Sequence, residues 1–449
     1  MLSDPIVALA TPPGRSAVAL LRLSGRGAFG VAEQCLTPWR PDPPRVVFRA
    51  RLALPGGAAV DEVLAVSFPA PHSYTGEDLV EIATHGGLLA PAEAMAALVA
   101  AGARPAEAGE FTRRAVLNGK MDLLQAEATA DLIDASAPAQ RRRALAQLDQ
   151  GLSRRLESLR GAILDLEGLT AYEIDFPEED DGPVAPDRVV RAWEGTRASV
   201  VELLGTASEG ERLREGALLV IAGPPNAGKS TLFNALLGAE RAIVTEVPGT
   251  TRDAIEAPAV IAGFPFRLID TAGLRDTDDR IEKLGIEVSW RYLGAADLVL
   301  YCDEGAGSPE GQVGERSQSL QGELTAPVVA VRTKCDLTPS ADLTGRLAVS
   351  AVTGAGLAEL KQELARVAFS KLVSMGDIEP VVTRARHRQA LETALRELDL
   401  FNQARQDGVE AVAAATHLRA ATGALDSLIG AVTPEDVLDR VFSNFCVGK

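Results

Sequence analysis

The chain has 449 residues, 46% of them hydrophobic and 4% aromatic, with a formal net charge of −17. That length suffices for about three ordinary domains, and the acidic balance argues against broad, nonspecific affinity for nucleic acid or anionic membranes, leaving only local basic patches for such contacts. The four cysteines, Cys35, Cys302, Cys335 and Cys446, show no C-x-x-C spacing, which excludes a disulfide scaffold or a zinc ribbon and suits a reducing compartment.

The N-terminal MLSDPIVALATPPG lacks the basic segment and long apolar core of a signal peptide, and no stretch reaches transmembrane length, so a soluble cytoplasmic protein is expected. Strand candidates follow at Ile6 to Ala10, Val18 to Leu23, Val46 to Leu54 and Val63 to Phe68, separated by Pro/Gly turns such as Thr11-Pro12-Pro13-Gly14. With an Ala/Leu-rich helix from about Leu88 to Ala101, residues 1–118 predict a compact α+β domain. Arg22 interrupts the apolar ALLRLSG and reads by itself as an edge residue snorkelling to water. Glu81, in DLVEIATHGG, reads as the exposed face of a strand, and His85 as a turn or packing histidine with no second His or Cys at ligand spacing.

From Leu123 the period changes. Leu145, Leu148, Leu152, Leu156, Leu159, Ile163 and Leu166 recur at steps of three and four, one face of a single long helix, which Ser136-Ala137-Pro138 separates from an earlier one. The acidic DFPEEDDGP at 175–183 ends it, and Val190, Trp193, Arg197, Val200 and Leu204 mark another helix. Helices resume after about Leu372, with Leu391, Leu395, Leu398 and Phe401 on one and Leu418, Leu425 and Leu428 on the next. Thr433-Pro434-Glu435-Asp436 then opens a short last helix with a capping-box pattern. Basic clusters at Arg113-Arg114, Arg141–Arg143, Arg154-Arg155 and Arg384–Arg388 read as solvated helix faces, and for a nucleic-acid substrate they are the places to look.

Between the two helical stretches lies LLVIAGPPNAGKSTLFNALLG, residues 218–238. Leu218 to Ala222 is a short apolar run suited to a buried parallel strand, Thr231 to Leu237 opens a helix, and GPPNAGKS fits G-x-x-x-x-G-K-[ST]. Gly223 and Gly228 permit the bend that points backbone N–H groups at phosphate, Lys229 supplies a cation, and the Ser230 hydroxyl suits Mg²⁺. Asn226, Ala227 and Thr231 complete this nucleotide-binding set. Downstream, Thr251 within GTTRD is placed as the switch-one Mg²⁺ ligand, and Thr245, Glu246, Val247, Pro248, Gly249 and Thr250 are assigned to nucleotide contact with it. Asp270 ends an apolar strand where a carboxylate near Mg²⁺ belongs, followed by Thr271, Ala272 and Gly273, whose N–H can approach a γ-phosphate. Thr333, Lys334, Cys335 and Asp336 form TKCD, whose Asp336 can accept paired N–H bonds from guanine; Ser350, Ala351 and Val352 close over the ring. The order of these stations predicts a GTP-binding α/β domain with a P-loop. Thr333 stands where Asn is usual, and a hydroxyl makes fewer hydrogen bonds than a carboxamide, so weaker nucleotide affinity is expected with guanine preference kept.

ATPPGR at 10–15 with Arg22 behind it, GEDLVE at 76–81, GEFTRRAVLNGKMDL at 109–123 and FCVGK at 445–449 frame this arrangement. Together they resemble the MnmE (TrmE) family of tRNA-modification GTPases over essentially the whole chain. The resemblance implies an N-terminal tetrahydrofolate-binding and dimerisation domain at 1–118 and a discontinuous α-helical domain at 119–213 and 374–449. A G domain is inserted at 214–373. It implies a potassium-activated GTPase, a homodimer that joins an MnmG-type flavoprotein carrying FAD in a heterotetramer, and tRNA as substrate, with no membrane. The reaction implied places an aminomethyl-type or carboxymethylaminomethyl group on C5 of a wobble uridine, using 5-formyl- or methylene-tetrahydrofolate. Matching positions give folate ligands Arg22, Glu81, Lys120 and Lys449; K⁺ ligands Asn226, Thr245, Val247 through its carbonyl, and Thr250; and Mg²⁺ ligands Ser230 and Thr251. Leu274 follows Asp-x-x-Gly where many GTPases carry a water-positioning Gln, and Glu282 matches the family's catalytic glutamate. Cys446 reads either as an apolar filler or as a thiolate active in the one-carbon step. The alternative is a ribosome-assembly switch of the Era or EngA kind, but neither a KH module nor a second G domain is visible.

Overall fold

In a computed structural model the chain is described at residues 4–175, 186–238, 256–270, 291–303, 324–337, 347–375, 379–430, 435–443, 445 and 448. It divides into two compact units, Met1–Ala130 with Asp426–Lys449, and Asp131–Leu425.

The first unit is built on a seven-stranded sheet. Its strands are β1 (Ile6–Leu9), β2 (Gly14–Ser24), β3 (Leu36–Thr37), β4 (Phe48–Ala53), β5 (Ala59–Phe68), β6 (Leu79–Gly87) and β7 (Arg104–Pro105), in the order β3-β4-β5-β6-β2-β1-β7. Neighbours run antiparallel except β1 and β7. Period-two alternation selects the face: on β4, Phe48, Ala50 and Leu52 are buried while Arg49 and Arg51 are exposed. Helices α1 (Ala28–Cys35) and α2 (Leu89–Ala100) supply Val31, Ala94 and Leu98 to the core over that face. The next helices are α3 (Glu110–Leu117) and α4 (Leu123–Asp134). The terminal helix Glu435–Phe442 returns to this unit, where Leu438, Phe442 and Phe445 form a buried cluster with Leu123 and Ala126. Thr433 and Pro434, which were expected to cap it, lie outside the described residues.

The second unit begins with α5 (Pro138–Leu148) and α6 (Gly151–Asp175), not one helix. Gln150 between them has φ +62°, a left-handed conformation that ends the first helix, and Arg154 donates to the Asp149 carbonyl at 2.7 Å. The leucine stripe crosses this break, but its parts differ. Leu145 is 46% exposed, whereas Leu152, Leu156, Leu159, Ile163 and Leu166 are buried. Next come α7 (Pro186–Leu204) and α8 (Ala207–Glu215). The sheet follows, with β8 (Ala217–Ala222), helix α9 (Lys229–Gly238), then β9 (Glu256–Ile261), β10 (Phe264–Asp270), β11 (Leu298–Asp303), β12 (Val328–Arg332) and β13 (Leu347–Ala348). Their order is β13-β12-β11-β8-β10-β9, parallel except for β9. Strand β8 is buried along its whole length, as its unbroken apolar run requires. Strand order reverses at β8, and the crevice at its carboxyl end is where doubly wound sheets bind ligands.

Helices α10 (Leu357–Ala368), α11 (Ser370–Met375), α12 (Ala385–Gln406) and α13 (Ala411–Ile429) complete the unit. The helices on either side of the sheet segment are joined. Trp193 Nε1 on α7 donates to the Leu398 carbonyl of α12 at 2.8 Å, and Arg197 Nε to Asp399 at 2.7 Å. Buried Glu209 on α8 accepts from Ser370 Oγ and from the N–H groups of Lys371 and Leu372, which satisfies the otherwise orphaned donors at the start of α11. Among the described residues no helix is long and apolar enough to cross a membrane.

The basic clusters are not simply solvated. Arg114 is 1% exposed and bonds Asp4, Glu77 and Glu110; Arg113 pairs with Asp439. Arg143 is buried and donates to the Glu379 carbonyl, Arg155 pairs with Glu202, Arg384 with Asp131, and Arg388 with Glu211. A fully desolvated guanidinium must be matched by acceptors inside the fold, and the acceptors come from distant parts of the sequence.

Candidate nucleotide-binding site and a second polar cluster

The loop after β8 is shaped by backbone constraints. Gly223 has φ +141°, and a Cβ there would stand 2.2 Å from the Cys302 carbonyl of β11, so only glycine fits. Asn226 is left-handed at φ +64° and exposed; Gly228 follows at φ +74°. Lys229 opens α9, is 7% exposed, and donates Nζ to the Pro224 carbonyl at 2.7 Å, inside its own loop. Ser230 and Thr231 are exposed in the first turn of the same helix, where the backbone N–H groups and the helix dipole favour an anion. Asp270 ends β10 in register with Ile221 of β8, so its carboxylate belongs to the same strand ends as the loop.

The guanine-side loop is stapled to the phosphate-side loop. Thr333 is buried, its N–H donates to the Asp303 carbonyl at 2.7 Å, and its Oγ1 approaches the carbonyls of Ala227 at 2.7 Å and Asp303 at 3.2 Å. Lys334, itself left-handed at φ +55°, donates Nζ to the Asn226 carbonyl at 2.7 Å. Cys335 N–H donates to the Val349 carbonyl at 3.3 Å, which leaves Asp336 exposed. Ser350 is fully buried and its Oγ accepts from Thr353 N–H at 3.1 Å, while Ala351 is half-buried and Val352 exposed. Beneath the loop, burial pushes the Cys302 thiol up to about 12, which makes it inert despite Lys229 nearby. Thr245, Glu246, Val247, Pro248, Gly249, Thr250, Thr251, Thr271, Ala272, Gly273, Glu282, Cys446 and Lys449 lie outside the described residues.

GTP with Mg²⁺ fits what is described. A P-loop amide nest, a lysine, a hydroxyl at the helix start and a strand-end carboxylate make a few-ligand site that phosphates complete. Among the described residues no group of three or more His, Cys, Asp and Glu side chains gathers as a metal cage.

A second polar cluster lies in the first unit. Arg22 stands opposite Glu81 in the register of β2 and β6, with Nε and Nη2 at 3.1 and 2.8 Å from Glu81 Oε1. Both side chains are mostly buried, so neither points freely to water as the sequence had suggested. Arg22 Nη1 lies 3.4 Å from the Gly448 carbonyl, and the guanidinium sits 5.2 Å above the Tyr74 ring. Glu81 Oε2 has no hydrogen-bond partner among the described residues. Lys120 is exposed and donates Nζ to the Pro71 carbonyl at 2.9 Å. The sequence reading missed the network below, in which Glu110 is shared by Arg104 and Arg114 while Asp4 bonds both. The i, i+4 spacing of Glu110 and Arg114 was its one visible signal. His85 is neither in a turn nor packed: it is an exposed residue within β6, and its ring meets Asp61 at 2.7 Å.

The sheet, the phosphate loop and the stapled guanine loop define a P-loop GTPase fold carried with an α+β domain and a helical domain. Comparison with known proteins makes this specific. The MnmE helical domain matches residues 123–446, and the N-terminal domain of the GTP-binding protein TrmE matches residues 5–120. The tRNA modification GTPase MnmE of a Thermus thermophilus strain is 42% identical over 462 aligned residues, covering 100% of this chain and 99% of that one. That of Aquifex aeolicus is 40% identical over 455, covering 100% of each. The G domain of the T. maritima FeoB iron transporter is 28% identical over 34% of this chain and 98% of its own, at a TM-score of 0.25. The chain belongs to the MnmE family of tRNA-modification GTPases and is a GTP hydrolase of that family.

Proposed function

We propose that this chain couples potassium-activated GTP hydrolysis to modification of wobble uridines in tRNA at C5, together with an MnmG-type flavoprotein that carries the FAD. The observation that carries the reading is the meeting of Arg22, Glu81 and the Gly448 carbonyl. It joins the first and last sequence motifs in one cluster. A carboxylate edge with an oxygen unpartnered among the described residues suits the paired N–H donors of a pterin, and cationic Arg22, Lys120 and Lys449 suit the anionic glutamate tail. Bound there, a formyl- or methylene-tetrahydrofolate would supply the one-carbon unit, and the docked tail would keep Cys446 close to it.

The domain division at 1–118, 119–213, 214–373 and 374–449 is supported by the bonds from Trp193 and Arg197 to α12, which close the helical domain across the inserted G domain. A homodimer is supported by the sheet of the first unit. Helices α1 and α2 cover one face, while Val18 and Leu64, 54% and 52% exposed, stand on β2 and β5. In the G domain, Asn226, Thr245, Val247 and Thr250 are assigned to K⁺, Ser230 and Thr251 to Mg²⁺, and Glu282 to orientation of the attacking water. The cytoplasm, where tRNA is modified, is the expected location.

The test is mass spectrometry of wobble uridines in tRNA from cells with and without the chain, and from cells carrying Cys446→Ser or lacking the last four residues. Loss of the modified nucleoside with GTP hydrolysis retained assigns the tail to the modification site. Unchanged nucleosides in the deleted strain reject the reading and favour the ribosome-assembly switch. Normal modification by Cys446→Ser rejects thiol chemistry alone.

A further inference from the structure

We propose that the first unit carries a subsite for the γ-linked oligoglutamate chain of a folate, formed by Arg45, His72 and Lys120. It rests on the reading of the Arg22–Glu81 cluster as a folate site. Lys120 belongs to that reading; Arg45 and His72 extend it into a preference among folates by length of tail.

The loop between β5 and β6 organises these side chains. Tyr74, at its middle, has its ring 5.2 Å from the Arg22 guanidinium and its hydroxyl 2.9 Å from Thr112 Oγ1. Just before it, the His72 and Pro71 carbonyls each accept a bond from a cation, Arg45 Nη2 at 3.0 Å and Lys120 Nζ at 2.9 Å. Two positive charges are thus held at neighbouring positions of one loop. Arg45, His72 and Lys120 are all exposed, and neither cation pairs with a carboxylate among the described residues. The loop's own acids are engaged elsewhere: Asp78 accepts the Ala70 N–H at 3.0 Å, and Glu77 binds Arg114.

Both cations are fixed by their surroundings. Arg45 takes a left-handed φ of +62°, which a non-glycine residue adopts rarely, and its N–H donates to the Ser67 carbonyl at 2.9 Å. The Lys120 stem lies against Gly76, where a Cβ would stand 3.2 Å from Lys120 Cγ.

The occupant follows from how weak such charges are. An exposed pair is worth about 1.5- to 5-fold in affinity, so a free small anion gains little here. A chain with one carboxylate per link, already anchored by its pterin at Glu81, adds these pairs intramolecularly. From Tyr74 back to Pro71 the main chain spans at most about 11 Å, so the cations stand within a short stretch of loop from Arg22. A tRNA backbone is served poorly. Nucleic-acid surfaces gather about 6–10 phosphate contacts, and the next cation along the chain, Arg49, is already paired with Glu62.

The experiment compares 5-formyltetrahydrofolate carrying one glutamate with the same compound carrying three, by calorimetry on the full chain. The triglutamate form should bind about tenfold more tightly at low ionic strength, and the ratio should shrink in about 1 M salt, where charges are screened within about 3 Å. Arg45→Gly removes the guanidinium while suiting the left-handed backbone, and should cut the ratio to about threefold or less; Arg45→Lys should keep most of it. Equal affinity of the two forms, or a full ratio in Arg45→Gly, would overturn the proposal while monoglutamate binding leaves the folate reading standing. If neither form binds, the folate reading fails and this proposal with it. A ratio of one, with Arg45→Gly instead weakening tRNA retention in filter binding, would assign the cations to RNA and overturn the proposal.

Discussion

The hydroxyl of Thr333 is the point at which the guanine loop and the phosphate loop become one object, and removing it is a sharp test of that geometry. Thr333→Val keeps the volume and branching and deletes only the Oγ1 whose contacts are the Ala227 carbonyl at 2.7 Å and the Asp303 carbonyl at 3.2 Å. Asp303 keeps the bond from Thr333 N–H, but the Ala227 carbonyl loses the hydroxyl that held it. Orphaning a buried acceptor costs about 1–3 kcal/mol, which corresponds to about 5- to 150-fold if it falls on the nucleotide-binding conformation. Fluorescent GDP binding measures that loss, and urea unfolding of the nucleotide-free protein measures any part that falls on stability instead. Guanine preference over adenine should persist, because Asp336 is untouched. Unchanged affinity together with unchanged stability would refute the staple. If Thr333→Asn binds nucleotide as tightly as the native protein, a carboxamide can make the same contact, and the expected weakness of the threonine version is also removed.

Glu282→Ala should leave GTP binding intact and slow turnover by about 10²–10⁴-fold, the range for a lost acid–base or water-orienting group; single-turnover hydrolysis checks it, and normal turnover rejects the assignment. If the proposed K⁺ site is right, hydrolysis should be much faster in K⁺ than in Na⁺, because a cation beside the phosphates would do the work of an arginine finger, worth about 10³–10⁵ in rate; equal rates in the two salts would sink this idea. Burial alone would raise the Glu110 carboxyl, but the bonds from Arg104, Glu107 N–H and Arg114 hold it below its usual 4.5. Its contribution to stability is therefore present above that value and is lost as pH falls through the depressed one, so acid unfolding should soften in Glu110→Gln. Gly448→Ala should displace the tail, since a Cβ would stand 2.7 Å from the Leu9 carbonyl; tRNA modification should fall while GTP hydrolysis persists, and unaltered modification would show that the tail's seat is dispensable.

Legibility followed the range of the interactions. The phosphate loop was readable because Gly223 to Ser230 is one contiguous segment whose chemistry is local. Strand β8 was readable because burial on both faces forces an unbroken apolar run. The break between α5 and α6 was not, since the leucine period continues across it and the left-handed residue is Gln150 rather than glycine. Helix α1 escaped because eight residues hold too few turns for a periodic signal. The arginines misled for another reason. Arg113-Arg114 looks like a solvated pair until Asp4, Glu77 and Asp439 are brought to it by β-sheet pairing and by the return of the chain's end. Arg22 and Glu81 each looked like an isolated surface charge because the β2–β6 register that sets them opposite one another is not written in either strand alone.

That return of the chain also explains two glycines that side-chain chemistry leaves unexplained. Gly109 precedes α3 at φ +68°, and a Cβ on it would press on the Phe442 carbonyl at 2.8 Å and the Phe445 Cβ at 3.0 Å. Gly448 takes φ +101° against the Leu9 carbonyl. One lets the terminal helix seat Phe442 and Phe445 beside Leu123; the other lets the last turn lie close enough to β1 for its carbonyl to reach Arg22. The segment that opens at Gly109 and the terminal segment are thus halves of one packing arrangement, and each carries a glycine where a Cβ would meet main chain. Phe442, Phe445 and the Gly448 carbonyl are thus set in place before any ligand arrives, the preorganisation on which the proposed folate site at Arg22 and Glu81 rests.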